Sequence, residues 1–199
     1  MYSSRRLLAT SSSSGRGALG GGFSKDNLTE WAAREWGEVA EPGHYIDLHS
    51  HKISPECAAV LERHSRPSTA MSRAFFGSSV FAPERFLVST LGFSKNDILP
   101  SVFRKGDSYL FFTATESTPH ELILGWKLGQ SRGCTMLAVD PRARLVYLGS
   151  GIEKADYHRG VLFRKILTPF HIFYSNLLIK GMVKELEDEC AKLESPGSG

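Results

Sequence analysis

Two histidines separated by one residue occur in the stretch Asp47-Leu48-His49-Ser50-His51. Residues two apart on a β-strand point to the same face, so His49 and His51 could share a metal ion if another element supplied further ligands. His120, His158 and His171 could in principle complete such a site, but they are predicted to lie in a turn, a loop and a helix. We therefore expect a solvated or hydrogen-bonded strand face, with no metal and no cofactor.

A third histidine, His171, follows Pro169-Phe170 at the predicted start of a long helix. An imidazole there can donate or accept a proton, and Glu116, Glu121 or Tyr174 would be the acid–base partner. The simpler interpretation is that His171 hydrogen-bonds a nearby backbone carbonyl and holds the entry of the helix. Both interpretations stay open at this point.

Several aromatic side chains are candidates for a ligand pocket, because small-molecule sites combine apolar walls with a few polar tips. Aromatic residues at these spacings also build ordinary cores. The candidate ligand-binding residues are Tyr109, Trp126, Tyr147, Phe170, His171 and Tyr174.

Motifs of several enzyme classes are missing from the sequence. Gly20-Gly21-Gly22 has neither a preceding strand nor a P-loop lysine, so it does not predict a phosphate loop. A Gly-x-Ser-x-Gly elbow is also missing, which weakens a hydrolase interpretation. The net charge is +3. Residues 1–25 carry +4 and the remainder is nearly neutral, so no concentrated basic face predicts nucleic-acid binding.

The first 25 residues are rich in Arg, Ser and Gly and contain no acidic residue. This composition is typical of an organelle transit peptide, and equally of a disordered tail. We expect a mitochondrial location, with a cytoplasmic one as the alternative. No apolar run is long enough to span a bilayer. Residues 26–195 are predicted to form a single domain, and three widely spaced cysteines predict buried thiols in a reducing compartment.

The periodicity of the chain changes from helical to alternating and back. A strand is predicted over residues 44–53, and helices over 55–64, 68–76 and 83–91, besides a short one over 26–38. The inward side chains of the helix over 83–91 are expected to be Phe86, Leu87, Thr90 and Leu91. Further strands are predicted over 102–104, 109–116, 121–128, 134–140 and 145–152. The short turns between these strands require antiparallel neighbours. In the strand over 121–128, only one face is expected to be buried, the face with Leu122, Leu124, Trp126 and Leu128.

The last predicted helix begins at Thr168-Pro169, a capping hydroxyl followed by a residue suited to the first turn. It runs for about 25 residues, or about 37 Å. Its predicted apolar face consists of Phe170, Phe173, Leu177, Gly181, Met182, Leu186, Cys190 and Leu193. The predicted fold is therefore α+β: a curved antiparallel β-sheet packed on a long C-terminal α-helix, with N-terminal helices.

The segment Gly160-x-x-Phe163-x-x-Ile166-x-x-Pro169-Phe170-His171 resembles the C-terminal signature of the domain of unknown function 2867 family. Residues 121–125 resemble the central strand of that family, and residues 72–93 its early helical segment. After Gly125 the chain departs from the family, which tends to carry charged residues there. The resemblance implies no established activity. The order helix, sheet, long helix is similar to that of START-like, helix-grip proteins, whose sheet and last helix enclose an apolar cavity.

Three functions are compatible with these patterns. The first is a domain that binds an apolar small molecule, lipid-like or polyketide-like. The second is a cyclase, isomerase or hydrolase on the same scaffold with His171 as acid–base group. The third is an organellar structural or assembly subunit, which would make the chain part of an oligomer or heteromer.

Overall fold

The structure is a computed structural model that describes residues 45–90, 92, 98–128, 131–153 and 168–194. Within them lie six strands and four helices. In chain order these are β1 (Tyr45–Lys52), α1 (Pro55–Arg63), α2 (Pro67–Gly77), α3 (Ala82–Thr90), β2 (Ser108–Tyr109), β3 (Phe112–Ser117), β4 (Glu121–Leu128), β5 (Ser131–Asp140), β6 (Leu145–Ile152) and α4 (Thr168–Glu194).

The six strands form one open antiparallel sheet in the order β1-β6-β5-β4-β3-β2. Strand β1 lies at one edge of the sheet that the described residues form and pairs with β6, so the first and last described strands are neighbours. The register of β3 on β4 shifts between Ala114 and Glu116. A bulge of this kind increases the local twist of a strand pair. The α+β architecture with a curved antiparallel sheet on the last helix confirms the predicted fold class.

The four helices pack on one face of this sheet. Ser54 caps α1 by accepting a hydrogen bond from the Cys57 amide at 3.2 Å, as its position before Pro55 predicts. Helix α4 is 27 residues long and contacts α1, α2, β1 and β6. The main core lies between these helices and the inner face of the sheet, and its α4 members are Leu178, Ile179, Met182, Val183, Leu186 and Cys190.

Two predictions about apolar helix faces were wrong. Phe170, Phe173, Leu177 and Leu193 are 61%, 60%, 38% and 52% exposed. The side of the first turns of α4 that faces the sheet carries His171, Tyr174, Ser175 and Leu178 instead. In α3, Phe86 and Leu87 are 73% and 55% exposed although both were predicted to point inward, and Val88 is buried instead. The three-and-four spacing identifies an apolar stripe, but the length of the stripe that is covered depends on neighbouring elements.

The sheet also differs from expectation on its outer face. Ile123 in β4 and Met136 in β5 point away from the helices, yet each is only 1% exposed. We expected β4 to be buried on one face alone. The apolar residues on both faces of β5 and β6 are typical of strands covered on both sides.

Smaller differences concern the start of the sheet. No strand forms over residues 102–104, and the strand predicted over 109–116 is divided into β2 and β3. Leu110 has a φ of 53° between them, a conformation that interrupts a strand. The predicted turn after Asp140 is confirmed, because the Asp140 carboxylate accepts a hydrogen bond from the Ala143 amide at 3.0 Å.

Candidate functional site

A cavity of about 190 Å³ lies between the first turns of α4, the start of α3 and the inner face of the sheet. The residues that line it come from α2, α3 and α4, from the sheet, and from the turn between β2 and β3. They are Phe75, Glu84, Phe111, Phe112, Trp126, Thr135, Leu148, Ser150, Ile152, His171, Tyr174, Ser175 and Leu178.

Aromatic rings form much of the apolar wall. Phe111 and Phe112 stack with their centroids 4.2 Å apart, and Phe75 packs in the core beside them. The ring of Trp126 lies over Gly133 of the neighbouring strand, where any Cβ would overlap the indole. The missing side chain at position 133 therefore makes the space that Trp126 occupies.

Asp47 of β1 does not line the cavity, but it contacts two polar residues that do, His171 and Ser150. Its Oδ2 lies 3.3 Å from Nε2 of His171 and 3.3 Å from Nε2 of His49. The Tyr45 hydroxyl donates to the same oxygen at 3.1 Å, and the Ser150 amide donates to Oδ1 at 3.1 Å. The carboxylate thus links the edge strand to the first turn of α4.

The surroundings of Asp47 favour its ionised form. Burial alone raises the pKa of this carboxyl, but the hydrogen bond and charge of His171, together with those of His49, outweigh burial. The pKa of Asp47 is therefore lowered from its ordinary value. A buried carboxylate held in this way fixes the position of the imidazole that it binds.

Glu84 has the opposite environment. It follows Pro83 in the first turn of α3, and burial raises the pKa of its carboxyl in spite of the nearby His171 charge and a hydrogen bond with Tyr174. Burial first, and then the charge of Glu84, also raise the pKa of the Tyr174 hydroxyl, which donates to the Val80 carbonyl at 3.2 Å. The cavity therefore contains one carboxyl group whose pKa is raised by burial.

Three of the six predicted ligand-binding residues line the cavity: Trp126, His171 and Tyr174. Tyr109 packs in the core instead, with its ring 4.8 Å from that of Phe76. Tyr147 alternates with the cavity residue Leu148 along β6, so it lies on the outer face of the sheet. The Phe170 ring stacks on Tyr174 at 6.1 Å but is mostly exposed.

Neither of the two glutamates predicted as partners of His171 lines the cavity. Glu121 begins β4 and pairs with Ala138, whereas Trp126 marks the cavity five residues further along the strand. That separation is about 17 Å along a strand. Glu116 pairs with Ile123 beyond the bulge in β3 and does not line the cavity. Glu84 occupies the place that we expected one of them to take.

His49 and His51 have different partners. His49 contacts Asp47, and Nδ1 of His51 lies 2.9 Å from the carbonyl of Lys52. Within the described ranges, no group of three or more His, Cys, Asp and Glu residues is arranged to hold a metal ion.

Sequence reasoning missed Asp47 and Glu84 as site residues. Asp47 stands in the same motif as the two histidines, but only its pairing with Ser150 and the approach of α4 reveal its role. Glu84 looks like an ordinary acidic residue in the first turn of a helix, where such residues are common. Neither the motif that contains Asp47 nor the helix start that contains Glu84 predicts a cavity from the sequence alone.

A second depression of about 610 Å³ lies between the ends of α1 and α4 and is lined by Val60, Arg63, His64, Leu193 and Glu194. Arg63 and Glu194 form an ion pair across it at 3.2 Å, and their side chains are 70% and 42% exposed. This depression is open to solvent, so it is a weaker candidate for a ligand site.

No family model matches the chain, and neither the curated proteins nor the solved structures contain a significant match. Most of the segment 160–171 that resembles the domain of unknown function 2867 family lies outside the described residues, as do the predicted tail and the helix over 26–38. None of the described helices is both long and apolar enough to cross a membrane.

Proposed function

We propose that this protein binds a small, mainly apolar molecule in the cavity between the sheet and α4. The observation that carries the proposal is the composition of the cavity: aromatic walls from Phe75, Phe111 and Trp126, with Glu84 and His171 as convergent polar groups. This combination is the usual make-up of a small-molecule site. In support, the β1-β6 pairing under a long last helix is similar to the helix-grip arrangement.

The size of the cavity limits the ligand. Its volume of about 190 Å³ is below the range of about 300–1,000 Å³ that is common for drug-sized ligands. A single-ring or two-ring compound therefore fits better than a whole lipid. We also propose that the chain belongs to the domain of unknown function 2867 family and that it is located in mitochondria. Identifying the bound molecule would help to test both proposals.

The proposal is tested by native mass spectrometry of the protein purified from its own cells, followed by titration with the retained compound. We expect a small molecule that dissociates on unfolding. A protein that carries no compound, and binds none of a panel of one-ring and two-ring aromatic molecules, would contradict ligand binding.

Two matched aromatic variants separate the cavity from the outer face of the sheet. Trp126→Leu is expected to weaken ligand binding at least about tenfold, because it removes part of the cavity wall. Tyr147→Leu changes an aromatic residue on the opposite face and is expected to leave the Kd unchanged. Isothermal titration calorimetry measures both, and equal losses of affinity would place the ligand elsewhere.

A further inference from the structure

Two titratable side chains from different helices face the same cavity. Glu84 comes from the first turn of α3 and His171 from the first turn of α4. They lie close enough for the charge of His171 to influence the carboxyl of Glu84. An acid and a base that face one apolar cavity are the groups needed to move a proton within a bound molecule.

The contacts of His171 determine which of its nitrogens can act as a base. Nε2 lies 3.3 Å from the Asp47 carboxylate and 3.4 Å from the Ser175 hydroxyl. An ionised carboxylate accepts but does not donate, so the neutral imidazole carries its proton on Nε2. The lone pair is then on Nδ1, which has no hydrogen-bond partner among the described residues.

The same geometry argues against a serine nucleophile. In a Ser-His-Asp triad the carboxylate and the hydroxyl bind opposite nitrogens of the ring. Here Asp47 and Ser175 both approach Nε2, which holds the proton that Asp47 accepts. The imidazole therefore cannot take the proton of the Ser175 hydroxyl while it donates to Asp47.

We infer that the cavity catalyses proton transfer on a small, flat carbonyl compound, with His171 as the base and Glu84 as the acid. This inference rests on the proposed ligand-binding function. Its geometric basis is that both side chains line one cavity with aromatic walls, and that Asp47 fixes the tautomer of His171.

The reaction needs no oxidant and no additional reactant. Nδ1 of His171 takes a proton from the carbon next to the carbonyl, and the C–H electron pair becomes the carbon–carbon double bond of an enol. The carbonyl π pair takes the proton of the Glu84 carboxyl. If the substrate has a carbon–carbon double bond between its β and γ carbons, this enol is a dienol. When the enol oxygen gives its proton back to Glu84, the carbonyl forms again, the first double bond moves between the α and β carbons, and the pair of the second double bond takes the proton of His171 at the γ carbon. The product is the conjugated isomer of the substrate.

The environments of the two acids suit these roles. Burial favours the protonated form of Glu84, and the contacts of Asp47 with His171 and His49 favour its ionised form. In some enzyme sites one carboxyl group has a raised pKa and donates a proton, while a second has a lowered pKa and stays charged. Glu84 and Asp47 fit this pattern.

The inference is tested with nitrobenzisoxazole, a flat two-ring compound of a size suited to the cavity. A base removes its ring C–H proton, the freed electron pair completes a nitrile, and the N–O bond breaks to leave a coloured phenolate. Glu84 would donate its proton to that oxygen. We expect the full chain to accelerate this reaction at least about a hundredfold over buffer, as positioned acid–base groups do.

Variants assign the activity to the two residues. His171→Gln is expected to lose nearly all of the acceleration, and Glu84→Gln about tenfold or more. His64→Gln, which alters an exposed histidine after α1, is expected to keep the full rate. Nitroindazole, an unreactive compound of the same shape, measures binding to each variant and shows whether a loss of rate is a loss of folding.

The outcomes separate this inference from the proposed function. Binding of nitroindazole without turnover of nitrobenzisoxazole, or turnover that His171→Gln retains, would overturn proton-transfer catalysis and leave ligand binding intact. Absence of nitroindazole binding by the folded full chain would count against the binding of flat molecules, and both proposals would then fail together.

Discussion

At the scale of single residues, the candidate site depends on two carboxyl groups whose environments have opposite effects. Asp47 contacts two histidines and accepts hydrogen bonds from a tyrosine hydroxyl and a backbone amide, so its charge is compensated. Glu84 is buried with less compensation, and its pKa is raised. These differences arise from contacts with β6 and α4, and they give the two acids different functions.

The contribution of Asp47 to stability is testable through its pH dependence. Because its pKa in the folded state is lowered, its stabilisation is present above the unfolded value of about 3.9 and is lost as the pH falls through the folded value. Asp47→Asn should lower the free energy of unfolding by about 1–3 kcal/mol at pH 6, because it disrupts a buried hydrogen-bonded network. Below about pH 4 the difference from the wild type should shrink.

Urea unfolding at a series of pH values measures this difference. The matched control is Asp188→Asn, which removes an exposed acid of α4 that pairs with Lys184 at 3.7 Å. Its expected effect is at most about 0.5 kcal/mol, as for other surface pairs. A pH-independent loss in Asp47→Asn would show that the charge is not what stabilises the fold.

At the scale of elements, the position of α4 depends on a close approach to the turn between α2 and α3. A Cβ at position 181 would lie 2.7 Å from Val80 Cγ2 and 3.2 Å from Val80 Cβ. Gly181 therefore lets the middle of the long helix contact this turn. Tyr174 supports the same packing by donating a hydrogen bond to the Val80 carbonyl.

Gly181→Ala is expected to destabilise the protein by about 1–3 kcal/mol through this overlap. The sign of the change in the free energy of unfolding is informative. Without the overlap, alanine in place of glycine would stabilise a helix interior by about 1 kcal/mol. Gly77 at the end of α2 is the control, since a Cβ there would meet nothing closer than Glu185 Cγ at 4.0 Å. Thermal unfolding of both variants tests the packing, and a stabilised Gly181→Ala protein would show that Val80 moves away readily.

At the scale of the whole molecule, both faces of the central sheet are withdrawn from solvent. The three cysteines report on different parts of this interior: Cys57 and Cys190 lie in the core between helices and sheet, and Cys134 lies in the outer-face cluster. They are 2%, 3% and 0% exposed, and none forms a disulfide. Burial raises the pKa of the Cys134 thiol, which lowers the fraction of reactive thiolate.

All three thiols are therefore expected to react with a thiol reagent at least about 10³-fold more slowly in the native protein than in denaturant. Mass spectrometry of the modified peptides identifies each cysteine separately. Rapid modification of Cys134 alone would show that the outer face opens without unfolding of the helix–sheet core. Rapid modification of all three thiols would contradict the packing as a whole.

The sequence alone determined the order and type of most elements and the fold class. The periodicity of β4 and β6 predicted their bounds, and Ser54-Pro55 and Thr168-Pro169 marked two helix starts, because these signals are local to a few residues. The sequence also identified Trp126, His171 and Tyr174 as candidate ligand-binding residues, because aromatic and imidazole side chains are common in ligand sites. The structure places all three at the cavity.

Only the tertiary structure decided which residues meet. The antiparallel pairing of β1 with β6 and the approach of α4 bring Asp47 to His171, although 123 residues separate them in the chain. The same packing brings Glu84 to the cavity, leaves Phe170 exposed and puts Tyr147 on the other face. Contacts between distant segments depend on the register of the strands and on the placement of the helices. The local spacing of residues in the sequence does not specify either of them.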